Sequence, residues 1–169
     1  MVPRQHTLVV IRHAKAEQVA ATDLERELTE RGRSDAAAAG KWLAAAGVRP
    51  DHALASAAPR AAQTWEALAK GGGWALDAEL DEGLYSAGPD TALDLVRALD
   101  EECACAVIVG HNPTMAVLAQ LLDDGEGDVD AGNAMASGFP TSAVAVFEVA
   151  GAWTDLDNAR LTGFHVGRG

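Results

Sequence analysis

Cysteine is scarce in this chain of 169 residues, which contains only Cys103 and Cys105. Two cysteines that lie two positions apart form no disulfide framework of the kind that holds small secreted domains together. We expect inert thiols at both positions rather than a redox centre or a metal site. A domain of this length buries roughly 68–70% of the surface that its unfolded chain would expose. A single domain over residues 1–169 therefore needs no cross-link.

Positive charge and long apolar runs are also in short supply. The chain has 13 lysine and arginine residues against 25 acidic residues, which gives a formal net charge of -12. This balance repels the backbone of nucleic acids and anionic membrane surfaces, so neither is an expected partner. The apolar run Leu8–Ile11 is too short for a membrane span or for the apolar region of a signal peptide. We expect a cytoplasmic protein.

Aromatic residues are few, whereas alanine, valine and leucine are abundant, which suits helices packed closely on a sheet. Apolar and β-branched runs predict strands at 7–11, 52–56, 74–77, 104–109, 142–149 and 159–165, with a further short strand at 153–155. Helical spacing predicts helices at 30–46, 58–69, 90–100 and 114–122, and the acidic, glycine-rich stretch 123–132 is interpreted as a loop. The alternation predicts a three-layer α/β fold, with a mostly parallel central sheet and helices on both faces.

Charged and polar residues follow the ends of three predicted strands. Arg12 and His13 come directly after the first strand. Arg60 lies in the first turn of the helix after the second strand, and His111 follows the fourth. Ligands of open α/β sheets bind beyond the carboxyl ends of the strands, so we expect these side chains to share one crevice. Arginine can grip two phosphoryl oxygens at once and neutral imidazole is a competent nucleophile, so the set suits phosphoryl transfer.

Each of these residues also has a structural interpretation when it is taken alone. An Arg-His pair after a strand is commonly a solvated strand end, and His111 before Asn-Pro could belong to a turn. Arg60 could be a surface charge on its helix. The surrounding sequences favour the functional interpretation, because four segments match one known family in order and spacing.

These four segments resemble the histidine phosphatase superfamily. Val9–Ala14 resembles the family's apolar strand followed by Arg-His-Gly, and Leu28–Gly32 resembles its Leu-Thr-x-x-Gly at the first helix. Ser56–Thr64 is similar to its Ser-Pro-x-x-Arg-Ala-x-Gln-Thr. Val109–Pro113 resembles the segment that carries the second histidine.

Shorter features are most similar to one branch of that family, the SixA-type phosphohistidine phosphatases. They are the Arg-His-Ala-Lys opening, the segment Leu84–Tyr85 and the late segment Pro140–Ser142. Two positions depart from the family pattern, because Ala14 replaces the usual glycine and Ala57 replaces the usual proline. A Cβ atom at position 14 restricts the backbone beside the nucleophile unless that residue has a negative φ.

The resemblance implies a phosphoglycerate mutase-like fold and an active site that needs neither a metal nor another cofactor. It implies that His13 is the residue that is phosphorylated. It also implies that Arg12, Arg60 and His111 form the phosphate pocket. The expected reaction is hydrolysis of a phosphoryl group, with protein phosphohistidine as the preferred substrate.

Family members that hydrolyse phosphoesters carry a carboxylate proton donor after the third strand. Three carboxylates of this chain are candidates for that position. They are Glu79, Asp81 and Glu82, which follow the predicted third strand, and Glu82 is the favoured candidate. The alternative is that all three are solvated loop acids, since resemblance to the SixA-type branch gives no expectation of a carboxylate donor. Lys15 lies next to the motif, but we interpret it as a surface lysine.

Two other functions stay open at this stage. The first is a phosphatase or mutase that acts on small phosphorylated metabolites, although so short a chain has little material for the lid that a mutase needs to exclude water. The second is a binding module that recognises a phosphorylated partner without turnover, which would need the arginines but not His13. The sequence leaves the oligomeric state open.

Overall fold

Six strands form one sheet in the computed structural model, which describes residues 5–169. They are β1 (Gln5–Arg12), β2 (His52–Ser56), β3 (Glu79–Asp81), β4 (Cys105–Gly110), β5 (Ala143–Ala150) and β6 (Arg160–Val166). Their order across the sheet is β3-β2-β4-β1-β5-β6. The first four strands in this order pair in parallel, whereas β5 is antiparallel to both of its neighbours. The predicted, mostly parallel sheet is therefore confirmed.

Helices cover both faces of this sheet, as predicted. They are α1 (Glu30–Ala45), α2 (Pro59–Gly72), α3 (Pro89–Arg97), α4 (Thr114–Leu122) and α5 (Val129–Ala136). Short 3-10 turns occupy Gly83–Tyr85 and Trp153–Asp155. Within residues 5–169, no helix combines the length and the apolarity that a membrane crossing demands.

Strand β1 shows how the sheet separates two apolar layers. Its side chains alternate between the faces, as they must in a strand. Val9 and Ile11 pack with α1 and α2, whereas Leu8 and Val10 pack with the face that carries α3, α4 and α5. All four side chains are buried, so the continuous apolar run is explained by cover on both sides of a central strand.

The helix ends follow from local sequence. Thr29 precedes α1, and its hydroxyl accepts a hydrogen bond from the backbone N–H of Gly32 at 2.9 Å, which satisfies a free donor of the first turn. Pro59 opens α2, where its missing N–H is of no consequence. Gly73 ends α2 in the left-handed conformation with φ of 77°. Arg60 is thereby placed in the first turn of α2, as predicted.

The predicted third strand at 74–77 is wrong. The strand that pairs with β2 is Glu79–Asp81. Trp74 stacks on Trp65 of α2 with 6.1 Å between ring centroids, and Trp65 Nε1 donates to the carbonyl oxygen of Leu76 at 2.8 Å. The apolar residues that suggested a strand therefore pack against a helix instead of joining the sheet.

Two further expectations on the carboxyl-terminal half need correction. The stretch 123–132 is not a loop throughout, because α5 begins at Val129 with the Asp128 carboxylate accepting from the N–H of Ala131. The acidic, glycine-rich composition hid this helix. Residues 153–155 form a 3-10 turn rather than a strand, since Trp153 turns inward and its ring contacts that of His6, tilted by 39° with 4.5 Å between centroids.

Helices α1 and α2 approach each other so closely that their contact requires glycine. A Cβ atom on Gly40 of α1 would overlap the carbonyl oxygen of Leu68, and one on Gly71 of α2 would overlap that of Ala37. Both obstacles are backbone atoms, which cannot rotate away as a side chain can. The two positions fix the distance between the helices.

We predict that Gly40→Ala destabilises the fold by about 1–3 kcal/mol, the usual cost of overpacking. Gly132→Ala in α5 is the matched control, because a Cβ atom there meets no atom within 4 Å, and alanine should stabilise this helix by about 0.5–1 kcal/mol. Urea denaturation measures both changes. Equal effects of the two substitutions would contradict a close helix contact at Gly40.

Candidate active site

The parallel pairing of β1 with β4 brings two histidines together. Arg12 at the end of β1 is in register with Gly110 at the end of β4. The backbone N–H of His13 donates to the Gly110 carbonyl oxygen at 2.9 Å. His111 follows directly, and the centroids of the His13 and His111 rings lie 5.2 Å apart. Two predicted site residues that are distant in the chain are thus neighbours.

Arg60 reaches the same place from the first turn of α2. Its side chain is buried, with 5% of the residue exposed, and its charge acts on both His13 and His111. The Thr64 hydroxyl links α2 to Ala14, the residue after His13. Thr64 Oγ1 accepts from the Ala14 N–H at 2.9 Å and donates to the Arg60 carbonyl oxygen at 2.6 Å.

The His13 ring is held in its uncharged form. Its Nδ1 lies 2.7 Å from the carbonyl oxygen of Ala14, and because a carbonyl oxygen can only accept, Nδ1 carries the proton. The lone pair is therefore on Nε2. The pKa of His13 is lowered to about 4, chiefly by burial and then by the charges of Arg60 and Arg12, against the raising effect of the bond to Ala14.

His111 is also uncharged near neutral pH. Its pKa is lowered to about 3, chiefly by burial and then by His13 and Arg60. Its Nε2 lies 2.8 Å from Ser56 Oγ at the end of β2. The Tyr85 and His111 rings are perpendicular, with 5.3 Å between their centroids.

Several buried polar atoms around these rings have no hydrogen-bond partner among residues 5–169. They include Arg12 Nε, Arg60 Nε, His111 Nδ1 and Ser142 Oγ. Ser142 also holds the backbone of His13, since its N–H donates to the His13 carbonyl oxygen at 3.2 Å. Buried polar groups are nearly always paired in native proteins. The two unpaired arginine nitrogens are donors close to His13, and they fit an anion that supplies several oxygens.

The replacement of glycine by Ala14 is compatible with this geometry. In the described part of the chain, the one residue other than glycine with a positive φ is Ser142, at 64°. Ala14 therefore has the negative φ that its Cβ atom requires. The loop after β1 therefore needs no strained conformation at position 14.

Sequence reasoning missed Asp23, which lies on the exposed loop between β1 and α1. Arg60 donates from Nη1 to the Asp23 carbonyl oxygen at 2.7 Å and from Nη2 to Asp23 Oδ2 at 3.1 Å. Arg26 donates to Oδ1 at 2.9 Å, and the Tyr85 hydroxyl donates to Oδ2. These contacts hold the pKa of Asp23 well below its usual range, with the Tyr85 and Arg26 bonds as the main causes.

The carboxylates considered as proton donors have different surroundings. Glu79 Oε2 lies 3.1 Å from His52 Nε2, and Asp81 Oδ1 accepts from the N–H of Leu84 at 2.9 Å. Glu82 is exposed at the start of the 3-10 turn that carries Tyr85. Lys15 is exposed as well. Asp81 thus has a structural partner and Glu79 is exposed beside His52, and the structure does not bring Glu82 into the buried group around His13.

Comparison with known proteins points to one family. A model of the histidine phosphatase superfamily (branch 1) matches residues 8–87. An uncharacterized protein of Mycobacterium tuberculosis is 39% identical over 164 residues, which cover 94% of this chain and 100% of the relative. A solved structure of a proposed phosphohistidine phosphatase SixA from Nakamurella multipartitia is 31% identical, with a TM-score of 0.85 over 96% of both chains. Another, from Agrobacterium tumefaciens, is 32% identical, with a TM-score of 0.76 over 97% of this chain and 99% of that one.

We predict that neither His13 nor His111 becomes protonated between pH 8 and pH 5.5. Their pKa values are lowered to about 4 and about 3, so the charged form appears only as the pH falls through those values. Histidine side-chain NMR signals measure this directly. Exposed histidine in a model peptide titrates near 6.5 and serves as the reference. A midpoint near 6.5 for either site histidine would contradict the buried, uncharged pair.

We predict that Asp23→Asn tightens the binding of vanadate or phosphate roughly two- to fivefold, the scale of a partly exposed ion pair. The native carboxylate is bonded to the Arg60 guanidinium and competes with an incoming anion for it. Glu25→Gln, on the same exposed loop, is a control for the change in net charge. Inhibition by vanadate measures both variants, and weaker inhibition of Asp23→Asn would show that Asp23 supports Arg60 rather than competing.

Proposed function

Since this chain belongs to the histidine phosphatase superfamily, we propose that it hydrolyses protein phosphohistidine through a phosphorylated His13. The observation that carries the proposal is the state of the His13 ring. Its Nδ1 proton is engaged by Ala14, its pKa is low, and the lone pair on Nε2 is free beside two arginines. Membership of the family and the SixA likeness support phosphatase activity, whereas the substrate class and the role of His13 are our proposal.

The first step transfers the phosphoryl group to His13. The Nε2 lone pair of His13 forms a bond to phosphorus while the bond from phosphorus to the substrate's ring nitrogen breaks. That ring leaves as neutral imidazole when its other nitrogen has already taken a proton from water. His13 then carries the phosphoryl group on Nε2 and keeps its proton on Nδ1, so the carbonyl oxygen of Ala14 stabilises the positive charge that develops on the ring.

Charge on the phosphoryl oxygens is matched by fixed donors. Arg12 and Arg60 supply permanent positive charge, and His111 supplies an uncharged ring at short distance from His13. Such donors act strongly in a site that is largely shielded from water, because they need no reorganisation during the reaction. Phosphoryl transfer depends mainly on positioning and on this stabilisation.

The second step restores the resting protein. A water molecule attacks phosphorus, the bond to His13 Nε2 breaks, and inorganic phosphate leaves with the oxygen of that water. The electron pair of the broken bond returns to Nε2, which regenerates the neutral ring with its proton on Nδ1. The water's proton leaves with phosphate or to solvent.

Two observations favour phosphohistidine over a phosphoester. An alkoxide is a poor leaving group unless an acid protonates it. Of the three carboxylates considered as donors, Glu79 and Glu82 are exposed, and Asp81 accepts a hydrogen bond from the N–H of Leu84. Imidazole needs no such acid from the protein. The likeness to two proposed phosphohistidine phosphatases over nearly the whole chain points the same way.

The proposal predicts that the protein turns over a phosphohistidine-containing protein at least a hundredfold more efficiently than an alkyl phosphate. Quenched enzyme should carry an acid-labile, base-stable phosphate on His13, and His13→Ala should carry none. Mass spectrometry of the trapped protein and kinetics on both substrates measure this. Lys15→Ala, at an exposed neighbouring position, is the control and should keep normal turnover.

The alternatives give different results in the same experiment. A preference for the alkyl phosphate, together with a roughly 10²–10⁴-fold loss in Glu82→Gln, would indicate a phosphoester phosphatase with Glu82 as its acid. Phosphate binding without turnover of either substrate would indicate a binding module. Full activity of His13→Ala would exclude the phospho-His13 intermediate.

A further inference from the structure

Ser56 is buried beside the second histidine. It is the last residue of β2 and is 0% exposed. Its Oγ accepts a hydrogen bond from the N–H of Ala58 at 3.2 Å and lies 2.8 Å from His111 Nε2. His111 Nδ1, in contrast, has no partner in the described part of the chain.

Counting protons decides which nitrogen of His111 is the donor. A neutral imidazole has one N–H and one lone pair. If Nε2 carried the proton, Ser56 Oγ would accept from both His111 and Ala58, and no acceptor in residues 5–169 would receive the buried hydroxyl proton. If Ser56 donates to Nε2 instead, every group of Ser56 is satisfied. The proton of His111 then lies on Nδ1.

We propose that Ser56 is a positioning residue that holds neutral His111 as the Nδ1–H tautomer, so that this N–H donates to a phosphoryl oxygen of the substrate. The inference deepens the proposed function and rests on phosphoryl transfer at His13. The reverse tautomer would present a lone pair to the phosphoryl oxygens and repel them. Low pKa values at this site keep His111 neutral, so a neighbour has to select the tautomer.

The two histidines thus carry their proton on the same nitrogen and use it in opposite ways. His13 donates its Nδ1–H to the carbonyl oxygen of Ala14 and leaves the lone pair of Nε2 available. His111 has its Nε2 lone pair occupied by Ser56 and keeps Nδ1–H for a ligand. The backbone acceptor leaves the His13 ring free to act as a nucleophile, and the hydroxyl donor leaves the His111 ring free to donate a hydrogen bond to the ligand.

The experiment is nitrogen NMR of the histidine side chains in the full chain at pH 7, without substrate. In the unmodified protein, Nδ1 of His111 should show the protonated signal and Nε2 the signal of a hydrogen-bonded lone pair. In Ser56→Ala, the two signals should move toward the average of mixed tautomers while those of His13 stay in place. Inhibition by vanadate should weaken roughly tenfold.

Matched variants separate this role from a general loss of structure. Ser56→Thr keeps the hydroxyl and should retain the His111 tautomer, whereas Ser142→Ala removes another buried serine hydroxyl and should leave that tautomer unchanged. A protonated Nε2 on His111 in the unmodified protein would overturn the proposal, and so would an unchanged tautomer in Ser56→Ala. Because the tautomer is measured without turnover, failure to trap phospho-His13 would count against the proposed function alone.

Discussion

The parallel pairing of β1 with β4 is the constraint on which the rest of the site depends. It brings the end of one buried strand against the end of another, so that His13 and His111 meet although almost a hundred positions separate them in the chain. Both rings are taken out of water beside permanent positive charges, and both must therefore stay neutral. Neutrality in turn obliges each ring to use one nitrogen as a donor and the other as an acceptor.

The strand ends and the residues that follow them could be predicted from sequence. Apolar runs that stop at Arg12 and at Gly110 indicate where buried strands finish, and a parallel order places those ends together. Proline at the start of α2 likewise locates Arg60. These features are local or follow from sheet topology, so they need no knowledge of side-chain packing.

Other features depend on packing and escaped prediction. The apolar residues Trp74 and Leu76 suit a strand as well as a segment lying on a helix, and only the contact with Trp65 decides between them. Asp23 lies on an irregular loop, where the sequence has no periodicity from which the direction of a carboxylate could be predicted. The hydroxyl of Ser56 could be placed in the site only once its distance to His111 was known.

The contact between Asp23 and Arg60 has a consequence for turnover. Inorganic phosphate is the product of the proposed reaction, and a pocket of arginines that bound it tightly would release it slowly. The Asp23 carboxylate can replace phosphate as the anion bonded to the Arg60 guanidinium when phosphate leaves. Because the carboxylate is attached to the chain, its effective concentration is high. Under the proposed function, the loop would oppose product inhibition and would weaken the binding of every substrate by the same competition.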